Sequence, residues 1–334
     1  MKRAIVLLLV AFVVVGFVWS GGRSEDAERD TYTVRIAHTH TEDGLYFKGS
    51  VRFKELVEQR SNGRIVVEHF PYGQLGGDRD IQEGISLGTI EAGLSSTPVV
   101  ILNEYYGLLD APYLFVSREH VAAALDGELG QRLAQPLEAH GIKHLGYWEN
   151  GFRQITNNLR PINTPADLRG VKLRTPESPV RMATFQTYGA SPVPMPFPEL
   201  FGALEQGIVD GQENPLATIY QASLHEVQRY LSITNHIYSP VHLLFNKNLF
   251  DSMPADLQQI LVDAGKEVAQ YTRELGAQDD AQLVAQFEAA GVQVNESNIS
   301  AFVRASEPVW DMIVRDISHA DAADIIREIA ALAR

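Results

Sequence analysis

From Pro254 the sequence carries helical spacing that runs with few breaks to Ala290 and meets Gly291. At about 1.5 Å per residue a helix of that length extends about 50 Å, more than one lobe of a small domain is wide. Such a helix predicts two lobes with one element spanning and tying them. The 334 residues agree, being long for a single hydrophobic core.

Ahead of that helix, elements alternate. Asp30 to Ala37 (DTYTVRIA) alternates apolar and polar residues and reads as a strand. Phe47 to Arg60 has helical spacing, and Arg64 to Phe70 is a second strand. Asp78 is placed to cap a helix that runs to Leu87, and Ile90 to Ser95 is a third strand. This β-α-β-α-β order predicts an α/β fold with a mainly parallel sheet. Ser117 is placed to cap a helix to Leu125, a second helix is expected from Glu128 to His140, and Gly141 suits its end. Ile142 to Trp148 is strand-like. Thr164-Pro165 and Ser178-Pro179 each set a capping hydroxyl before a proline, a helix start. Short strands are expected at Val171 to Arg174 and Pro192 to Pro194, giving a second α/β lobe over 151–239.

The leader is distinct. Met1-Lys2-Arg3 precedes an uncharged apolar run from Ala4 to Trp19, and Ser20-Gly21-Gly22 offers small residues for cleavage. Residues 1–22 read as a secretory signal peptide, with an uncleaved anchor as the alternative; either places the domain in the periplasm. The chain has no cysteine, which excludes a lipoprotein anchor, disulfides, zinc ribbons and thiol nucleophiles. Its net charge of −14 argues against nucleic acid as a partner.

The segment from Trp148 to Pro215 carries the chemistry. Arg153 and Arg174 lie on predicted strands, Arg174 at a strand end, where ligands bind in open α/β sheets. An arginine fork holds a carboxylate through two parallel hydrogen bonds and stays charged. Asn214, in a turn after Asp210-Gly211, can donate to a ligand oxygen. Phe197 can stack on a carbon skeleton, and Glu177 can accept from ligand hydroxyls. His38-Thr39-His40 at the end of the first strand reads as one histidine facing a cleft and one structural, with His38 taken as the cleft residue. The alternative is a metal-dependent hydrolase using His38 and His40. Phosphate-loop, dinucleotide, zincin and nucleophile-elbow patterns are absent, so no catalytic residue, cofactor or metal is expected.

The combination of FPYGQLGGDRDIQEGISLGTIE, GFRQITNN, DLRGVKLRTPESPV and GASPVPMPFPELFGALEQGIVDGQENPL resembles the DctP-type solute receptors of TRAP transporters, across the chain from about Thr31 onward. The resemblance implies a two-lobe, periplasmic-binding-protein-like receptor that closes on an organic acid and delivers it to a permease driven by an ion gradient. It implies discontinuous lobes: 30–150 with 240–279, and 151–239 with 280–334. By the same likeness Arg174 makes the two-pronged carboxylate contact, Arg153 and Asn214 support it, Phe197 packs on the ligand, and Asp78 and Ser96 line the first lobe. Sialate receptors differ at Ser96 and Glu177. Glu177, the WENGFR segment and His38 look more like the branch that takes sugar acids such as uronates or keto-gulonates. The same fold binding a C4-dicarboxylate, or handing its ligand to a sensor kinase, is the alternative.

Overall fold

The computed structural model describes residues 31–317 and 319–333; the expected leader, 1–22, lies outside them. Ten strands form one mixed sheet: β1 (Tyr32–Ala37), β2 (Ile65–Phe70), β3 (Ala92–Ser95), β4 (Ile142–Asn157), β5 (Lys172–Thr175), β6 (Ser191–Pro194), β7 (Gly211–Pro215), β8 (Tyr230–Ile233), β9 (Tyr238–Asn246) and β10 (Gln293–Glu296). The order is β2-β1-β3-β9-β4-β7-β5-β6, with β8 joining β4 to β10. β1 pairs parallel with β2 and β3, as the early alternation predicts, and β5 pairs parallel with β6 and β7. β9 and β4 run antiparallel and join the two parallel sets.

β4 is the joint. In the sequence Ile142 to Trp148 and the segment at Arg153 read as separate short strands, yet they form one strand to Asn157 whose partner changes along its length. β9 pairs its first part, while β7 and β8 flank its end. The register shifts between Glu149 and Gly151, and Gly151 sits at φ 123°, a conformation open to glycine and strained for other residues.

The long helix is present as Ala255–Ala289. Its first half buries Leu257, Leu261, Ala264 and Val268 in a core with Val34, Ile36, Phe53, Val57, Trp148 and Phe245. Its last turns bury Leu283 and Phe287 in a second core with Leu200, Leu204, Leu216 and Leu231. Trp148 Nε1 donates to the Gly265 carbonyl at 2.9 Å, pinning helix to β4. The opposite face of the first sheet half packs Ile81, Ile85, Val121, Leu133 and Leu244. Val309, Ile313, Ile325 and Ile329 of the C-terminal helices Glu307–Asp316 and Ala322–Ala331 join that same cluster. The tail also touches the second set of elements, where the Tyr188 hydroxyl and Ser306 Oγ lie 2.6 Å apart. Among the described residues no helix is long and apolar enough to cross a membrane.

Local signals mostly hold. Ser117 caps Arg118–Leu125 and Ser178 caps Pro179–Thr187 through their hydroxyls. The helix expected over 128–140 breaks into Glu128–Ala134 and a 3-10 turn over Gln135–His140, because Pro136 has no N–H for the α-ladder. Asp78 is not a cap: Gly77 precedes the helix Asp78–Leu87, and Asp80 accepts from the Gly77 N–H at 2.8 Å. That leaves the Asp78 carboxylate for other partners.

Candidate functional site

The parallel strands β1, β3 and β5 end around one small cavity of about 30 Å³, room for a water or two. Its walls are His40, Tyr46, Asp78, Ser96, Thr97, Pro98 and Asn150 from the first half of the fold, and Arg153, Arg174, Pro176, Glu177, Met195, Pro196, Phe197 and Asn214 from the second. Seven of the residues singled out from sequence therefore meet here: Arg174, Arg153, Asn214, Glu177, Phe197, Ser96 and Asp78. His38 does not. Its ring is fully buried beside Tyr46 and Phe47 with neither nitrogen partnered, and His40 takes the cavity position. Asn214 lies on β7, opposite Gln154 of β4, rather than in a turn.

Arg174 is 2% exposed near the end of β5. Its Nε and Nη2 donate to the Met195 carbonyl at 2.9 and 2.5 Å, which orients the guanidinium. Among the described residues no carboxylate lies within ion-pair distance of it. Burial first, and then the nearby Arg153 charge, draw its pKa down to about 10, so it remains a cation at any physiological pH. The Phe197 ring lies 5.9 Å from its guanidinium carbon.

Arg153 is fully engaged by comparison. Nε and Nη2 donate to Glu213 Oε2 and Oε1 at 2.5 and 3.0 Å, and Nη2 also donates to Asn214 Oδ1 at 2.9 Å. The Asn214 amide donates to Gln212 Oε1 at 2.5 Å. Behind this row sits a layer that the sequence reading missed. Arg181 donates to Glu213 Oε2 at 2.8 Å and to Asp110 Oδ1 at 2.6 Å, and His236 Nε2 lies 3.0 Å from Glu213 Oε2. Burial opposes ionisation of Glu213, but the Arg153 and Arg181 charges outweigh it and hold the carboxyl well below the usual range. Burial keeps His236 neutral, so Nε2 donates to Glu213 and Nδ1 accepts from Thr234 Oγ1 at 2.8 Å. Arg153 and Arg181 thus share two carboxylates, and Arg174 is the cation without a direct anionic partner. An isolated buried cation is costly, and an incoming carboxylate relieves that cost.

Aromatic rings close one wall. His40 stacks between Tyr46 (centroids 3.7 Å) and Phe197 (4.6 Å), linking the two halves of the fold. Burial, with the His38, Arg153 and Arg174 neighbours, keeps the His40 pKa well below its ordinary value, so the ring is neutral. Ser96 Oγ donates to the Pro240 carbonyl at 2.8 Å and accepts from Asn150 Nδ2 at 3.3 Å. Glu177, 24% exposed at the mouth, pairs with Arg79 at 3.6 Å. His38 and His40 gather no metal set: among the described residues no group of three or more histidine or acidic side chains is placed to hold a metal ion.

The family described as bacterial extracellular solute-binding protein, family 7 (DctP), matches residues 36–316. The chain is 38% identical over 281 residues to the 2,3-diketo-L-gulonate-binding periplasmic protein YiaO of Escherichia coli, spanning 83% of this chain and 85% of that one. It superposes with a TM-score of 0.87, at 31% identity, on the sugar acid binding protein DctPAm from Advenella mimigardefordensis in complex with galactonate, spanning 91% of this chain and 99% of that one. It also matches a TRAP periplasmic solute binding protein from Sulfurospirillum deleyianum with bound succinate (TM-score 0.84, 30% identity, 90% and 99% spanned). A family match over most of the chain, on this fold and around this arginine-lined cavity, means that the protein belongs to the DctP family of bacterial extracellular solute-binding proteins.

Proposed function

We propose that this chain is the periplasmic receptor of a TRAP transporter and captures a small hydroxylated monocarboxylate, a sugar acid such as a uronate or keto-gulonate. The observation that carries this reading is Arg174: a buried guanidinium in a cavity, oriented by a backbone carbonyl and without a carboxylate partner. The ligand carboxylate docks on Arg174, Arg153 and Asn214 support it, and Phe197 packs on its carbon chain. Asp78, Ser96, Glu177 and, in place of His38, His40 face its hydroxyls. Glu177 and Asp78 disfavour a second ligand carboxylate, because two desolvated anions repel. The relatives that bind diketogulonate and galactonate support the ligand class.

The lobes meet at this cavity, the first built on 30–150 with 240–279 and the second on 151–239 with 280–334. Closure of the lobes is a population shift driven by ligand contacts on both sides. The leader directs export, and the loaded receptor delivers its ligand, chemically unchanged, to the membrane permease subunits. No nucleic acid or cofactor takes part.

A thermal-shift screen of the mature chain against uronates, aldonates, keto-gulonates, C4-dicarboxylates and sialate tests the reading. Ligand at 100 times its Kd adds about 2.7 kcal/mol, a visible shift. Stabilisation by sugar acids is the expected result. A shift with dicarboxylates alone overturns the ligand class, and no shift with any carboxylate overturns the receptor reading.

A further inference from the structure

Asp78 opens the helix Asp78–Leu87 and turns its carboxylate into the cavity that holds Arg174. Its Oδ1 accepts from Ser95 Oγ at 2.9 Å, and Gln82 Nε2 donates to that same hydroxyl at 2.8 Å. Among the described residues no cation lies within ion-pair distance of Asp78. The neighbouring Arg79 is turned to Glu177, and Arg153 and Arg181 are occupied by Glu213 and Asp110. The other groups facing the cavity from packed elements are neutral: the Tyr46 phenol from Leu45–Arg60 and the His40 ring after β1. Asp78 and Arg174 are therefore the last two charges of the site, each the other's countercharge across the cavity, without contact.

A ligand carboxylate that docks on Arg174 takes that countercharge and sets a second anion in the same desolvated space. Two carboxylates sharing one guanidinium resist being ionised together. We propose that Asp78 takes up a proton from solvent when a carboxylate docks on Arg174, so that capture is proton-coupled and Asp78 selects for ligands with one carboxylate. The inference rests on the carboxylate-receptor reading above and deepens it. Burial already raises the Asp78 pKa above its ordinary value before any ligand arrives. Once protonated, Asp78 changes from acceptor to donor and offers its O–H to a ligand hydroxyl. A second carboxylate on the ligand meets Asp78 without that proton as an anion, and with it at the cost of a further uptake.

The sign of the linkage follows. If the ligand raises the pKa of Asp78, the complex holds more protons than the free receptor, and affinity rises as pH falls through the pKa in the complex. Titration calorimetry of the mature chain with galactonate near pH 6.5, in MES and in imidazole, reads the proton number directly, since the two buffers differ in ionisation enthalpy. The expected result is unequal heats that report net uptake. The Kd should weaken several-fold between about pH 5.5 and about pH 7.5, by at most about tenfold per unit for a full proton. D78N should bind with buffer-independent heat and a pH-independent Kd, and its preference should move toward succinate relative to galactonate. Equal heats in the two buffers for the unaltered chain, or uptake that persists in D78N, overturns the inference while leaving the receptor reading intact. If D78N does not fold, the two-buffer comparison on the unaltered chain decides. No thermal shift with any carboxylate of the screen above overturns the receptor reading and this inference with it.

Discussion

At Glu213 one carboxylate meets two guanidiniums and a neutral histidine, all of them buried. Glu213→Gln keeps the shape but leaves Arg181 with Asp110 alone and Arg153 with no carboxylate in contact. Removing one partner of a buried ionic cluster costs about 3–5 kcal/mol, so urea unfolding should show a loss of that size; a midpoint unchanged from the parent chain would show that the two arginines are compensated elsewhere. The front row, Arg153, Arg174 and Asn214, was legible in the sequence through its resemblance to a family, and Arg174 also through its place at a strand end. The second row was not. Arg181 is one arginine in the first turn of a helix, Asp110 lies 71 residues from it in sequence, and neither carries a local pattern. The choice between His38 and His40 also turned on tertiary packing. His38 falls under the Leu45–Arg60 helix beside Tyr46 and Phe47, while His40, two residues on, has left the strand and stacks on Phe197.

At the scale of elements, the long helix was readable because its apolar spacing is uninterrupted, and the short parallel strands because they alternate with helices. β4 reads in the sequence as two short strands rather than one, since its second half is held by β7 and β8, strands 54 to 77 residues further along that no local periodicity announces. The contact of helix and strand is close. A Cβ on Gly265 would stand 2.3 Å from the Leu145 carbonyl oxygen, a backbone atom with no rotamer to move. Gly265→Ala therefore destabilises the fold by about 1–3 kcal/mol through overpacking, although alanine is the better helix former by about 1 kcal/mol. A lowered melting temperature is the expected outcome; a raised one would mean that the helix slides freely on β4. A half-buried cluster ties the same helix to β4. Arg118 donates to Glu149 at 2.9 Å and to Asp280 at 2.6 Å, joining β4 to the long helix, and the Tyr238 hydroxyl of β9 donates to the same Glu149 carboxylate.

For the whole molecule, the buried histidines set the response to acid. Burial lowers the pKa of His38 to about 4 and of His144 to about 3, and lowers those of His40, His236 and His242. The unfolded chain binds protons at these rings from about pH 6.5 downward while the folded chain does not, so their stabilisation is present above about pH 6.5 and is lost as pH falls toward the folded values. Glu149, raised by burial to about 6, acts oppositely, favouring the folded state as pH falls from about 6 to about 4.5. Burial lowers His69 likewise and raises Asp78, Asp126, Asp279 and Asp280 as it raises Glu149, so the larger depression of the buried rings carries the prediction of a lower urea midpoint at about pH 5 than at about pH 7.5. An equal or higher midpoint at the lower pH would place those rings in water.

The central claim is that Arg174 anchors the ligand's carboxylate. Titration calorimetry of galactonate against the mature chain and against Arg174→Ala tests it most directly. Removing the charged partner of a desolvated pair costs about 2–5 kcal/mol, so affinity should fall by about 30-fold to several thousand-fold while the melting temperature of the ligand-free variant stays near that of the parent. Near-native affinity in Arg174→Ala, with galactonate in the same cavity, would contradict the account.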